Sequence, residues 1–293
     1  MALIPYFSPE AKIERAERRI ERACESIADA ALQMEAYGRM SAITKLADIG
    51  GKYAAEYIAR IGEFTNAPIV TKHAADKLKT MPNGVKLIGS MADSDTPYRA
   101  SDILEALEKI GTKEAYAVMV NVAQRMDNQT IDEEVAKALI SDGGEIAMGL
   151  LQTHALDRPR VIPSAIAMLR KEPTYQSAVS IQFLSTVADR TQLSMTEAAN
   201  AVFDIARKQP SHDIGTGIPY IATQMAQSIS NQAYVKTQSD DKEFGHRLRH
   251  VLQEASFLPC LDEPVKEQVR KAYRDSKDIA ERKFGQFQMH RTH

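Results

Sequence analysis

Two histidines one helical turn apart carry the most chemically suggestive spacing in this sequence. Glu243, His246, His250 and Glu254 follow at intervals of three, four and four, which sets all four on one face of a helix. Imidazoles at i and i+4 can share a divalent cation, and a carboxylate one turn away can complete the ligand set. Glu243 and His246 form the Glu-x-x-His step that di-iron carboxylate centres use twice, on two helices. This chain has one such step. Arg247 and Arg249 lie beside it, and a bound cation would meet their charge. The opposing reading of the four residues is a solvated helix face of mixed charge.

Other groups are less well equipped for chemistry. Gly215-Thr216-Gly217 ahead of a helix could offer backbone amides to an anion. It lacks the remaining spacing of a nucleotide fingerprint, and Pro219 removes a donor, so a turn is expected. His212-Asp213 are sequence neighbours in a loop, a poor arrangement for aiming both at one substrate. His73 and His154 lie near apolar stripes and read as core or boundary residues. Cys24 and Cys260, the only cysteines, have no neighbouring histidine and read as small buried hydrophobes. No serine sits in a nucleophile elbow. The tail around Arg282, Lys283, Phe284, Phe287, Met289, His290 and Arg291 is basic with interleaved aromatics, a pattern able to stack bases, though it reads first as a helix end. No catalytic residue and no cofactor site emerges.

The elements that would position these groups are helices. The chain has 293 residues, 44% hydrophobic and 26% charged, with no Trp and 6% aromatics. Ala, Ile, Leu and Met abound, where a β sandwich would want Val, Thr, Tyr and Trp. The formal net charge is −2. Residues 101–200 carry 9 basic and 14 acidic side chains, a net −5, so a continuous basic groove for nucleic acid is disfavoured. No apolar run reaches the roughly 20 residues that span a bilayer, and Met1 to Phe7 lack a basic flank for a leader. A cytoplasmic location is expected.

Along the chain, Ile13, Ile20, Ile27 and Met34 recur every seven residues, with Ala16, Ala23, Ala30 and Tyr37 between them. That heptad predicts a seam continuing through Met40, Ile43 and Leu46 to Gly50-Gly51, folded back on a helix from Lys52 to Phe64 as a hairpin. A dimerising coiled coil is the second use of the same seam. A helix from Pro68 to Lys79 follows, then an ambiguous stretch, Val85 to Met91. The polar run Asp93 to Pro97 predicts a boundary, giving an N-terminal hairpin or bundle (1–95) and a helical-repeat region (96–293). Thr112 is expected to cap one helix. Thr130 to Glu133 and Ser194 to Glu197 read as capping boxes, and Asp262-Glu263-Pro264 opens the last helix.

Leu104, Leu107 and Ile110 ended by Gly111, and Val135 to Leu139 followed by Gly143-Gly144, resemble the helix pairs of HEAT-type repeats over about residues 101–210. The resemblance implies antiparallel helix pairs stacked as an α-solenoid; an irregular compact bundle is the alternative fold. The function expected is that of a scaffold binding another macromolecule, a protein first, without catalysis of its own. The alternatives are a metal-binding or enzymatic bundle using His246 and His250, and a nucleic-acid-binding HEAT-like protein. Self-association through the N-terminal heptad helix is also expected.

Overall fold

The computed structural model describes residues 9–92, 97–171, 174–187, 192–208, 217–236 and 242–289. Among the described residues the fold is all α-helical, and the chain divides into two compact units, 1–138 and 139–293. The first holds α1 (Pro9–Leu32), α2 (Ala36–Ile49), α3 (Gly51–Glu63), α4 (Pro68–Leu78), α5 (Gly84–Ser90), α6 (Pro97–Ile110), α7 (Lys113–Met126) and most of α8 (Gln129–Asp142). The second holds α9 (Glu145–Asp157), a 3₁₀ turn at Pro159–Val161, α10 (Ile162–Leu169), α11 (Tyr175–Val187), α12 (Gln192–Lys208), α13 (Gly217–Lys236), α14 (Lys242–Ser256) and α15 (Glu263–Met289). The sequence placed its boundary near residue 95, whereas α6 packs on α4 and α5 inside the first unit.

Each unit follows one packing rule. Most helices meet their chain neighbour and also the helix after that: α1 on α3, α2 on α4, α3 on α5, α4 on α6 and α5 on α7 in the first unit. The second repeats the scheme with α9 on α11, α10 on α12, α11 on α13, α12 on α14 and α13 on α15. Stacked antiparallel pairs give this pattern, because each hairpin covers the apolar face that its neighbour cannot bury alone. The result is two layers per unit, with α2, α4 and α6 side by side in one layer of the first.

Small residues make the layers close. Ala28 and Ala31 of α1, Ala54, Ala55 and Ala59 of α3, and Ala74 and Ala75 of α4 are buried, with Ile43, Leu46, Ile58, Ile61 and Leu78 filling the wider gaps. Each large aliphatic contributes roughly 1.5–3 kcal/mol by leaving water. Gly89 of α5 faces α7 so tightly that a Cβ there would come within 2.2 Å of Val118.

Several local expectations change. The heptad does not continue past Met34: the chain turns at residues 33–35, and α2 starts afresh. Arg39 holds that corner, donating to the carbonyls of Met34, Leu32 and Phe64 at 3.0, 3.0 and 2.9 Å. The ambiguous stretch Val85 to Met91 resolves as helix, α5 covering Gly84–Ser90. Asn128, not Thr130, caps α8, its Oδ1 accepting from the amides of Thr130 and Ile131. Ser194 lies inside α12 rather than ahead of it. Thr112 and Asp262 do cap α7 and α15, accepting from Ala115 and Val265 at 3.2 and 3.0 Å. Cys24 and Cys260 are buried free thiols.

The heptad seam itself points the other way. Ile13 and Ile20 are 59% and 44% exposed, while Cys24, Ala28 and Ala31 form the face that α1 buries. Small side chains allow α1 to lie close to α3, so the alanine face wins the intramolecular contact.

Candidate functional site

The layer formed by α2, α4 and α6 carries a groove of about 310 Å³. Its walls come from Met40 of α2, from Ile69, Lys72, His73 and Asp76 of α4, and from Asp102, Glu105 and Lys109 of α6. The three helices run in one direction. Arg39 at the start of α2 and Arg99 at the start of α6 both reach carbonyls at residues 63–65, between the end of α3 and the start of α4. Farther along, Thr44 of α2 meets His73 of α4, and Lys72 meets Asp102 and Glu105 of α6. Consequently the second residues of the three helices, Tyr37, Ile69 and Tyr98, stand in one row at the N-terminal edge of the layer. They are 83%, 54% and 86% exposed.

Charge is tightly matched in the groove. Lys72 Nζ lies 3.1 Å from Asp102 and 3.4 Å from Glu105, Lys109 Nζ lies 2.6 Å from Glu105, and Lys79 Nζ lies 2.9 Å from Asp76. The hydrogen bond to Asp102 raises the Lys72 ammonium above its ordinary range. Bonds from Lys109 and then Lys72 lower Glu105, and the bond from Lys79 lowers Asp76. Most of these side chains are solvent-exposed, Asp102 and Lys79 less so, and exposed pairs are each worth little on their own. Their effect is to hold the side chains across the α4–α6 step in a defined pattern.

His73 is the group here whose ordinary pKa best suits proton transfer near neutral pH, and its geometry argues for structure. Thr44 Oγ1 sends its proton to the Met40 carbonyl at 3.0 Å. With that hydrogen committed, the 3.0 Å contact to His73 Nε2 makes the ring nitrogen the donor and the hydroxyl the acceptor. A base that must donate to a hydroxyl does not activate it as a nucleophile. Burial, and then Lys77, hold His73 below its ordinary pKa against the opposing pull of Asp76 and the Met40 carbonyl. The ring is neutral at physiological pH.

The four residues of the expected metal face fall on α14. His246 and His250 are exposed. Glu254 is engaged by Arg207 of α12, which also binds Asp204 at 2.9 Å, with Arg170 joining the same carboxylate. Glu243 lies on the helix, but its side chain falls outside the described residues. Among the described residues no group of three or more His, Cys, Asp or Glu is disposed to hold a metal ion. His154 is fully buried in α9. His212, Asp213, Gly215 and Thr216 fall outside the described residues, as do the tail side chains from Arg282 onward. No described helix is long and apolar enough to cross a membrane.

No family model matches the chain, and no curated protein matches it. Among solved structures it aligns with a de novo designed helical repeat protein at 13% identity, covering 85% of this chain and 97% of that one, with a TM-score of 0.22. A chain from a computational design of self-assembling cyclic homo-oligomers aligns at 14% identity, covering 95% and 97%, with a TM-score of 0.18. Likenesses of this degree carry no argument, and the groove stands on its own geometry.

Sequence reasoning missed the row and the groove together. Tyr37, Ile69 and Tyr98 differ in type, and the 32- and 29-residue steps between them are unequal. Arg39 and Arg99 gave a better signal. Each sits in the first turn of a helix of this layer, and Arg99 donates to the carbonyls of Glu63 and Thr65 at 2.6 Å each, as Arg39 does to Phe64.

Proposed function

We propose that this chain is a helical-repeat scaffold, of the HEAT-like kind, that binds an extended segment of another protein across α2, α4 and α6 and performs no chemistry of its own. The observation that carries this reading is the row of Tyr37, Ile69 and Tyr98, exposed beside a groove of fixed charges. Isolated exposed apolar residues are ordinary, but a row of equivalently placed ones beside a groove suits a partner. Tyrosine adds large contact area for little lost rotamer freedom. Neighbouring helices stand about 8–10 Å apart, so the row spans roughly 20 Å, the length of about six extended residues. Side chains spaced along such a segment would meet Tyr37, Ile69 and Tyr98, while its backbone and polar side chains would face Lys72, Asp102 and Glu105. The near-neutral chain, the matched charge of this groove and the donor role of His73 favour this over nucleic acid or catalysis. A cytoplasmic location belongs to the same proposal.

The test is a parallel affinity capture from lysate of the source cells. Wild type, the triple variant Tyr37→Ser/Ile69→Ser/Tyr98→Ser and a control, Tyr220→Ser/Phe257→Ser, are compared. A stoichiometric protein retained by wild type and control but lost from the triple variant supports the reading. Equal retention by all three overturns the assignment to this row, and capture of nucleic acid alone overturns the class of partner.

A further inference from the structure

A different surface, on α1, is independent of the groove. α1 buries its Cys24–Ala28–Ala31 face against the rest of its unit. Along its outer side run Ile13, Ala16, Ile20 and Ala23, all exposed, and then half-buried Ile27. Their seven-residue recurrence is that of a two-helix seam, with β-branched residues at one core position and alanine at the other. We propose that a second copy of this chain covers this face, the two α1 helices pairing in parallel over Ile13 to Ile27.

Three features select that occupant and that orientation. Isoleucine at the first core position favours two parallel strands, and alanine at the second lets the backbones approach. In this register Lys12 and Glu17 occupy the flanking positions, both exposed. Lys12 of one copy then faces Glu17 of the other, and two-fold symmetry supplies the pair twice. An antiparallel pairing of the same isoleucines over the same alanines would set Glu17 against Glu17 and Arg19 against Arg19, which like charges oppose. Finally, α1 is already held helical by α2 and α3, so a short seam need not supply the cost of ordering it.

The experiment measures mass against concentration by sedimentation equilibrium for the full chain. Wild type is expected to pass from monomer to dimer. Ile20→Ser, a change at an exposed site, should weaken the dimer about tenfold or more with helicity unchanged by circular dichroism. Lys12→Glu and Glu17→Lys should each weaken self-association about fivefold. Mixed in equal amounts they should recover wild-type affinity as a heterodimer, seen by native mass spectrometry of differently tagged chains. Wild type that stays monomeric at every concentration overturns the proposal, and so does a mixture no tighter than either variant alone. The triple variant of the groove should dimerise as wild type does, which separates failure here from failure of the partner reading.

Discussion

At the scale of single residues, the fold leans on a few polar side chains at helix corners. Arg99 joins the start of α6 to the end of α3 through two carbonyls that no intrahelical amide can reach. Arg99→Ala is expected to cost about 1–2 kcal/mol, the range for hydrogen bonds from a charged donor near the surface, read as a lowered urea midpoint. Arg99→Lys should restore only part, since one ammonium does not reproduce a fork to two acceptors. Gly84 is constrained differently: a Cβ there would lie 1.8 Å from the Leu78 carbonyl oxygen, a backbone atom that cannot step aside. Gly84→Ala should therefore cost about 3 kcal/mol or more. His73 gives a pH prediction. Its folded-state pKa lies below the ordinary 6.5, so the unfolded chain binds the proton more readily. Stability should fall as pH drops from 6.5 toward the lowered value and keep no further dependence on this ring beneath it. Nuclear magnetic resonance titration of the ring should give a midpoint under 6.5, and a midpoint at or above it would remove the account of a desolvated ring.

At the scale of elements, what each helix buries depends on which face its neighbours can approach. The heptad in α1 is plain in the sequence, yet the helix packs its unit through Cys24, Ala28 and Ala31 instead. Periodicity marks an apolar face without saying whether that face meets its own chain or another. Caps followed the same logic. The Thr-x-x-Glu pattern at Thr130 is a valid signature, but Asn128 stands two residues earlier and reaches two amides first. Asn128→Ala should destabilise the α8 start by about 1 kcal/mol, and Thr130→Ala by much less. Amide exchange of Thr130 and Ile131 would distinguish the two caps directly. For α14, the spacing of His246 and His250 survives in three dimensions, whereas Glu254 is drawn into the Arg207 ion pair. Helical spacing sets side chains on one face of one helix, and the neighbouring helix decides what they bond.

At the scale of the whole molecule, stability is a sum of neighbour contacts. Most helices in a unit meet those one and two places along the chain, so damage should stay local, as in repeat proteins. Gly84→Ala is expected to raise amide exchange through α3 to α7 while leaving α11 to α14 near wild type. Uniform loss of protection through both units would show instead a single cooperative body.

The sequence by itself determined the helical class, most turns and much of the core. Composition, glycine punctuation at Gly50, Gly111 and Gly143, and the apolar spacing of Ile103, Leu107, Val135 and Leu139 act locally and need no partner to be read. It did not determine the repeat, because the three helices of the layer are matched by position rather than by residue type. Nor could it bring Thr44 to His73, Lys72 to Asp102, or Tyr37 into line with Ile69 and Tyr98. Those meetings arise from laying helices side by side about 8–10 Å apart, and that spacing is a property of packed surfaces, which only the tertiary structure possesses.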